Sequence, residues 1–246
     1  MGERRVSAHG DAFSVVDDPR HARLWSRLES GAWEPDTFAA MRLCLTPASL
    51  HLDLGAWIGP TVLYAAGLAG RAVAVEPDPV AMAALLANLA LNPKRADRTL
   101  PVAAAVAGVS GPLDLYAKQF GESLTSRFPV AKSRRITAFA LGAEEFLARC
   151  LGEARHVLVK VDVEGGEYDL VPPLCAALAR RGVRADLLLS LHGALLAEAD
   201  RPDTVLTFER VLAEFGTPHG WSDGAWRPLP APPAAISYET VLVRRD

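Results

Sequence analysis

The sequence has few cysteines, little net charge and no long apolar run. Its three cysteines, Cys44, Cys150 and Cys175, show no CxxC spacing, so neither a disulfide framework nor a thiolate zinc site is predicted. A reduced, cytoplasmic compartment is the expectation that fits this cysteine usage. The formal charge is only -3, which gives no reason to expect nucleic acid or an anionic membrane as a partner. The chain also lacks an apolar signal segment and any charge-free apolar run of about 18 residues, so no membrane span is predicted.

The order of the remaining patterns predicts an α/β fold. The chain has 246 residues and half of them are apolar, which suits one large domain. From residue 50 onward, β-rich runs such as "LHLDL" and "RAVAVE" alternate with Ala/Leu-rich helical segments, as in βαβ units on a parallel sheet. Residues 49–246 are therefore predicted to form the ligand-binding domain. Residues 1–48 are predicted to form a small helical cap on it, with two short helices broken at Gly31 and Pro35.

The helix after the second strand has a clear predicted start. Asp78 can cap it and Pro79 suits its first turn. Four apolar residues are predicted to share the face that packs on the sheet: Met82, Leu85, Leu86 and Leu89.

The stretch "LDLGAWIGP" resembles a nucleotide-binding turn with an unusual middle. Gly55 and Gly59 follow a strand-like run, but Trp57 stands where such loops often carry another glycine. Glu76 ends the next strand, 21 residues after Gly55, where a carboxylate conventionally accepts hydrogen bonds from ribose hydroxyls. The combination predicts an adenosine-containing ligand. The alternative is a tight structural turn followed by a surface glutamate.

Asp53 narrows the choice of ligand. A carboxylate two residues before the first glycine would repel the pyrophosphate of a dinucleotide unless it were screened, whereas S-adenosylmethionine carries a sulfonium and an ammonium group. Trp57 also suits a loop whose backbone need not approach a pyrophosphate, while its own packing on the cofactor or beneath the cap stays open.

A second cluster of polar residues lies in "VKVDVEGGEYDL" and at the end of "ADLLLSLH". Lys160, Asp162 and Glu164 share one face of a predicted strand, and charges buried there need partners or a ligand. Lys160 is either part of the site or a buried ion pair that braces the sheet. Glu167 is predicted near a helix start, where it need be no more than a cap, and His192 ends a strand on the ligand side. No set of side chains shows metal-ligand spacing in the sequence, so no metal is expected.

Three ordered motifs resemble one known family. "DLGAWIGP", "AVEPDP" with "NLALN", and "KVDVEGGE" are similar to the motifs of the FkbM family of S-adenosylmethionine-dependent methyltransferases. The upstream "SGAWEPDTF" and the later "FGESLTS" are also similar to segments of that family, and the resemblance covers residues 30 to 215. It implies a Rossmann-like class I methyltransferase fold, with a mostly parallel seven-stranded sheet and helices on both faces, and methyl transfer that is commonly to a hydroxyl oxygen.

The resemblance also implies site residues. It places Trp33 and Glu34 over the methionine end of the cofactor. One departure is that many members have a glutamate before the histidine that ends the fifth strand, where this chain has Ser190 and then His192. The implied cofactor-binding and signature positions are Asp53, Gly55, Ala56, Trp57, Gly59, Glu76, Pro77, Glu34, Lys160, Asp162, Glu164 and Glu167.

The leading hypothesis is therefore methylation of a hydroxyl on a small or medium acceptor, with S-adenosylmethionine as cofactor. Asp162 is the first candidate for the base and His192 the second, with Lys160 as a further catalytic candidate. The acceptor class stays open among sugars, polyketides, peptides and lipids, and the sequence sets no oligomeric state. Two alternatives remain: a nicotinamide-dependent oxidoreductase on a related sheet, and a catalytically silent cofactor-binding partner subunit.

Overall fold

A computed structural model describes residues 2–123, 125–129, 131–193, 202–229 and 240–245. Its centre is an eight-stranded sheet whose five parallel strands read as nearly continuous apolar runs, because both of their faces are covered. The parallel strands are β3 (Leu50–Leu54), β4 (Arg71–Val75), β5 (Thr99–Val102), β9 (His156–Val161) and β10 (Arg184–Ser190). Three antiparallel strands complete the sheet: β11 (Thr217–Ser222), β12 (Ala225–Pro228) and β13 (Thr240–Arg244). The spatial order is β12-β11-β13-β10-β9-β3-β4-β5.

The predicted α/β class with a mostly parallel sheet is confirmed, but the prediction of seven strands is wrong. The difference lies in the C-terminal part of the sheet. Asp223 and Gly224 both have positive φ angles, 50° and 73°, and so form a tight turn that folds β12 back on β11 as an additional edge strand.

The segment predicted as a helical cap begins with strands. β1 (Gly2–Ala8) and β2 (Asp11–Asp17) form a hairpin whose turn is at His9 and Gly10, again with positive φ. The hairpin forms because alternate residues of both strands are apolar and buried. Two short helices follow, as predicted on either side of Gly31: α1 (Ala22–Glu29) and α2 (Pro35–Cys44).

The helices of the described residues cover both faces of the central sheet. One apolar cluster joins the cap to α3, α4 and one sheet face, while the other cluster joins the opposite face to α6, α7 and α8. None of these helices is both long and apolar enough to cross a membrane. Their bounds are α3 (Pro60–Leu68), α4 (Pro79–Ala90), α5 (Pro93–Ala96), α6 (Ala143–Cys150), α7 (Glu167–Arg180) and α8 (Pro202–Phe215).

The start of α4 is as predicted, but its buried face is narrower. The Asp78 side chain caps the helix by accepting from the backbone N–H of Val80 at 2.8 Å. Leu86 is 46% exposed, so its predicted place on the packed face is wrong. It follows Leu85 by one residue, which turns it by about 100° away from the stripe that Leu85 forms.

A smaller sheet stands beside the carboxyl edge of the central one. Its order is β6-β8-β7, with β6 parallel and β7 antiparallel to β8. The bounds are β6 (Ala105–Ala107), β7 (Gly111–Ala117) and β8 (Arg134–Gly142).

Candidate functional site

A cavity of about 1100 Å³ lies at the carboxyl ends of β3, β4, β9 and β10. This is where ligands bind in open α/β sheets, because the loops leaving neighbouring strands diverge there. Ten of the predicted cofactor-binding and catalytic residues line it, whereas Asp53, Gly59 and the signature residue Glu167 do not. The ten are Glu34, Gly55, Ala56, Trp57, Glu76, Pro77, Lys160, Asp162, Glu164 and His192.

The glycine turn after β3 is held by close backbone packing. Gly55 has φ +89°, and a Cβ atom built on it would lie 1.9 Å from the carbonyl oxygen of Asp162. Gly59 has φ +93° and caps α3 from behind the cavity wall, where a Cβ would meet Leu85 at 2.5 Å. Both positions therefore require glycine, because a Cβ atom would collide with its neighbour and the positive φ angle disfavours other residues.

Most of the backbone donors of this turn are already used inside the protein. The N–H groups of Gly55 and Ala56 both donate to the carbonyl oxygen of Val75 at 3.0 Å, and that of Gly59 donates to Ala56 at 2.9 Å. Pro60, the first residue of α3, has no N–H to offer. A pyrophosphate bound at such a turn depends on backbone donors of this kind, and four of them are engaged here, including the N–H of Trp57, which donates to Glu76.

Glu76, directly after β4, connects the end of that strand to the turn after β3. Its Oε2 accepts the N–H of Trp57 and its Oε1 that of Asp78, both at 2.8 Å. Burial raises the pKa of Glu76 to about 7, although these two backbone hydrogen bonds oppose the rise. A carboxylate oxygen can still accept from further donors, so Glu76 is placed to receive the hydroxyls of a ribose.

Trp57 lines the cavity and also lies against the cap. Its backbone has φ 48°, and its indole lines the cavity. The indole Nε1 donates to the carbonyl oxygen of Gly121 at 2.9 Å, and the ring meets His21 of the cap edge-to-face at 5.7 Å between centroids. Trp57 therefore forms a wall that ties the turn to the cap and to the loop around Gly121.

Asp53 differs from its predicted place. Its side chain is fully buried behind the cavity wall, where it pairs with Lys160 across the β3–β9 register. Its Oδ1 lies 3.7 Å from the Lys160 Nζ, and its Oδ2 accepts from the Thr61 hydroxyl at 2.6 Å. Burial opposes ionisation of Asp53, but Lys160, His51 and Thr61 lower its pKa overall. Asp53 therefore does not reach the cavity, where a cationic ligand would bind. It neutralises Lys160 instead.

Lys160 joins the buried pair to the cavity. Its ammonium donates to Asp162 Oδ2 at 2.9 Å, and Asp162 lines the cavity. Burial opposes the charge of Lys160, yet Asp162, Asp53 and Glu34 raise its pKa above the ordinary value. The position is thus both a bracing ion pair and part of the cavity wall.

Glu34 brings an unsatisfied carboxylate oxygen to the cavity from the cap. It stands before α2 with φ 44°, and its buried Oε2 has no hydrogen-bond partner among the described residues. Burial raises the pKa of Glu34 to about 7, against the charge of Lys160. A buried oxygen of this kind requires a donor or a cation, which a ligand can supply.

Four titratable side chains meet where β9 and β10 end. His192 Nδ1 lies 2.8 Å from Glu167 Oε1, and its Nε2 lies 3.4 Å from Glu164 Oε2 and 3.8 Å from Asp162 Oδ1. Burial lowers the pKa of His192, but the hydrogen bond to Glu167 and the three negative charges outweigh it and raise the pKa to about 9. Burial also raises the pKa of Glu164 to about 7.

Three of these side chains also show a spacing that the sequence did not reveal. Asp162, Glu167 and His192 each offer a donor atom within 4.8 Å of the others, close enough for a metal ion to bridge. Both oxygens of Glu167 already accept from backbone N–H groups, those of Val163 and Gly165. The cluster is therefore paired within the protein, and the expectation of no metal stays a prediction.

Sequence reasoning missed the tie between the Gly121 loop and α4. Asp78 Oδ2 accepts the N–H of Gly121 at 2.6 Å while Oδ1 caps the helix. Arg127 from the same loop pairs with Asp169 at 2.6 Å on the cavity wall. The positive φ of Gly121 is the conformation that glycine permits, but nothing in "FGESLTS" indicates which carboxylate its backbone meets.

Comparisons with known proteins give structural neighbours only. No protein-family model and no curated protein matches the chain. Among solved structures, methyltransferase FkbM from Methylobacillus flagellatus has TM-score 0.47 at 14% identity, over 94% of this chain and 56% of that one. A putative methyltransferase, yhhF, from Escherichia coli has TM-score 0.44 at 15% identity over 100% of both chains. A putative methyltransferase from Streptococcus mutans, in complex with SAH, has TM-score 0.44 at 9% identity over 86% of this chain and 97% of that one. With TM-scores below 0.5, these neighbours assign no function, which rests on the site itself.

Proposed function

We propose that this protein is an S-adenosylmethionine-dependent methyltransferase that methylates a hydroxyl group on a small or medium molecule such as a sugar or a polyketide. The observation that carries the proposal is the state of the glycine turn. Its N–H groups at Gly55, Ala56, Trp57 and Gly59 all donate to protein acceptors. The turn can thus support an adenosine beside Glu76, while these four donors are not offered to a pyrophosphate.

The charges of the cavity favour a cationic cofactor. Its wall carries the acidic residues Glu34, Glu76, Glu122, Asp162, Glu164 and Asp169, and the basic residues Lys160, Arg23, Arg27 and Arg127. Lys160 is already shared between Asp53 and Asp162, and Arg127 is paired with Asp169. Among the described residues Glu34 and Glu76 have no ion-pair partner within 4 Å, which is a local surplus of carboxylates. The sulfonium and ammonium groups of S-adenosylmethionine would offset that surplus, and the unsatisfied Oε2 of Glu34 is one place for a cationic donor.

The size of the cavity leaves room for a second molecule. Ligand pockets typically measure about 300–1,000 Å³, and this one is about 1100 Å³. Its wall includes apolar side chains of the cap and of the small sheet, Leu24, Trp33, Leu113 and Leu115. An acceptor with apolar and hydroxyl parts fits such a wall.

The cofactor, when bound, supplies an electrophilic methyl group on a sulfonium. What the chain contributes is position: the turn, Glu76 and Glu34 would hold the cofactor against the strand ends, and the apolar wall of the cap and the small sheet would hold the acceptor. Two side chains on the wall are placed to take the hydroxyl proton, Asp162 and His192. Asp162 has the His192 imidazole within 4 Å, and His192 has the carboxylates of Asp162 and Glu167 within the same distance.

A nicotinamide-dependent oxidoreductase is the alternative from another enzyme class. It would need a pyrophosphate site at the turn, which the engaged N–H groups disfavour. A silent cofactor-binding subunit would use the same cofactor without forming a methylated product.

The test supplies methyl-labelled S-adenosylmethionine, together with extract from a strain that lacks the protein, to purified wild-type chain and to Asp162→Asn. We expect the wild type to produce a labelled small molecule, identified by mass spectrometry, and the variant to produce much less while still binding the cofactor. Label on a protein band alone would move the acceptor to peptides. Cofactor binding without any labelled product would favour the silent subunit.

A further inference from the structure

Glu167 is buried at the start of α7 and faces back toward the end of β10. Its side chain has no solvent exposure. Its Oε1 accepts the N–H of Val163 at 3.1 Å and its Oε2 that of Gly165 at 2.9 Å. Nδ1 of His192 lies 2.8 Å from the same Oε1. Because these carboxylate oxygens act as acceptors, His192 must bring its hydrogen on Nδ1 to this contact.

The other ring nitrogen of His192, Nε2, then carries no hydrogen when the ring is neutral. His192 lines the cavity, and Nε2 lies on the side of Glu164 and Asp162, at 3.4 Å and 3.8 Å. Lys160 of β9 stands behind Asp162 and holds its Oδ2. When the ring is neutral, the Nε2 lone pair is directed at the space where an acceptor would lie.

We propose that Glu167 is a positioning residue that fixes His192 by its Nδ1 atom, so that Nε2 accepts the proton of the hydroxyl being methylated. This inference rests on the methyl transfer proposed above. It changes the order of the candidate bases, because Asp162 Oδ2 already receives the Lys160 ammonium whereas Nε2 is the ring nitrogen of His192 that Glu167 does not bind. It also gives Glu167 a role beyond that of a helix cap.

The step balances as a proton-coupled displacement. The hydroxyl oxygen forms a bond to the methyl carbon, and the carbon–sulfur bond breaks with its electron pair going to sulfur, which leaves a neutral thioether. The hydroxyl proton moves to Nε2, and the resulting imidazolium is stabilised by the Glu167 carboxylate until the proton passes to water.

The electrostatics of the cluster set the condition under which His192 can accept a proton. Burial lowers the pKa of His192, but Glu167, Glu164 and Asp162 together raise it to about 9, so the ligand-free imidazole holds its proton at neutral pH. A cationic cofactor in the same cavity acts in the opposite direction. Binding of S-adenosylmethionine therefore favours the neutral, proton-accepting form of His192.

The test measures two quantities in the wild type and in Glu167→Gln: the tautomer of His192 and the rate of methyl transfer. Protein labelled with ¹⁵N in its histidines is followed by NMR across pH, and His192→Gln identifies the His192 signal. The chain offers a matched control in Asp186→Asn. Asp186 is also a buried carboxylate paired with a histidine, Nε2 of His156 at 3.0 Å, but at the opposite edge of the sheet.

We expect neutral His192 in the wild type to carry its hydrogen on Nδ1. In Glu167→Gln its titration midpoint should fall by about one unit or more, and turnover should fall about 10²-fold with a smaller change in cofactor affinity. Asp186→Asn should leave the His192 signal and turnover unchanged, since the two sites share no partner.

Two results would overturn the proposal: a wild-type His192 with its hydrogen on Nε2, or a Glu167→Gln variant with the wild-type midpoint and turnover. Failure of the proposed function has a different signature. In that case the wild type itself transfers no methyl group to any acceptor, while the NMR measurement still reports whether Glu167 sets the tautomer.

Discussion

The carbonyl oxygen of Asp162 lies where a side chain on Gly55 would have to be. A Cβ atom built on Gly55 would stand 1.9 Å from that oxygen, and Gly55 also has φ +89°. The amide of Asp162 in turn donates to the carbonyl of Leu54 at 2.9 Å. The two motifs, 107 residues apart in the chain, therefore form one rigid unit at the edge of β3 and β9.

Substituting Gly55 should consequently cost much more than its backbone conformation alone. We expect Gly55→Ala to lower the free energy of unfolding by more than about 3 kcal/mol, because strain and a backbone clash add together. Gly10→Ala is the matched control, since Gly10 has φ +84° and nothing within 4 Å, and it should lose about 1 kcal/mol. Urea unfolding measures both, and equal losses would contradict the close packing.

The buried position of Asp53 leads to a second prediction. Asp53→Asn leaves Lys160 with one carboxylate partner where it had two, and should lower the free energy of unfolding by about 3 kcal/mol. Asp114→Asn breaks an exposed pair with Arg135 and should cost less than about 1 kcal/mol. A stable Asp53→Asn protein that has lost only cofactor affinity would show instead that Asp53 meets the ligand.

The sequence predicted the elements with strong local rules. Asp78 and Pro79 begin a helix because capping and the first-turn proline act within four residues. Glu76 and the Gly55 turn meet because the carboxyl ends of neighbouring parallel strands lie at one edge. These relationships depend on spacing, and spacing is visible in a sequence.

Other features depend on contacts that no spacing encodes. Asp53 is on a strand covered on both faces, so its residue type does not show whether it meets a ligand or Lys160. Glu167 reaches His192 only because α7 starts beneath the end of β10. The β1–β2 hairpin was missed because its short alternating strands precede the strong βαβ pattern.

The stability of the ligand-free protein should fall as pH rises from about 5 to 9. Glu34, Glu76 and Glu164 have folded pKa values of about 7, above the ordinary 4.5, so the folded state holds extra protons and loses stability as pH rises toward 7. His192, at about 9 against 6.5, stabilises below pH 6.5 and loses that contribution as pH rises through 9. Both act in the same direction, and the total should reach about 2 kcal/mol or more.

Thermal or urea unfolding across this pH range checks the direction. His192→Gln should remove the fall above pH 7 and keep the one below it. A wild-type stability that rises over the same range would mean that these groups are not buried as described.

Cofactor affinity should change with pH in the opposite direction. Between pH 6 and 8 the same three glutamates ionise and His192 begins to lose its proton, so the cavity becomes more negative. We expect S-adenosylmethionine to bind more tightly at pH 8, and its demethylated product, which lacks the sulfonium charge, to show a weaker dependence. Equal pH dependence for both molecules would argue against carboxylates near the sulfonium.

Calorimetry with S-adenosylmethionine and with NAD⁺ and NADH shows which of the two cofactor classes binds at the turn after β3. The account predicts one S-adenosylmethionine per chain, weaker binding in Glu76→Gln, and no binding of either nicotinamide dinucleotide. Saturable binding of NAD⁺ or NADH together with no binding of S-adenosylmethionine would contradict it.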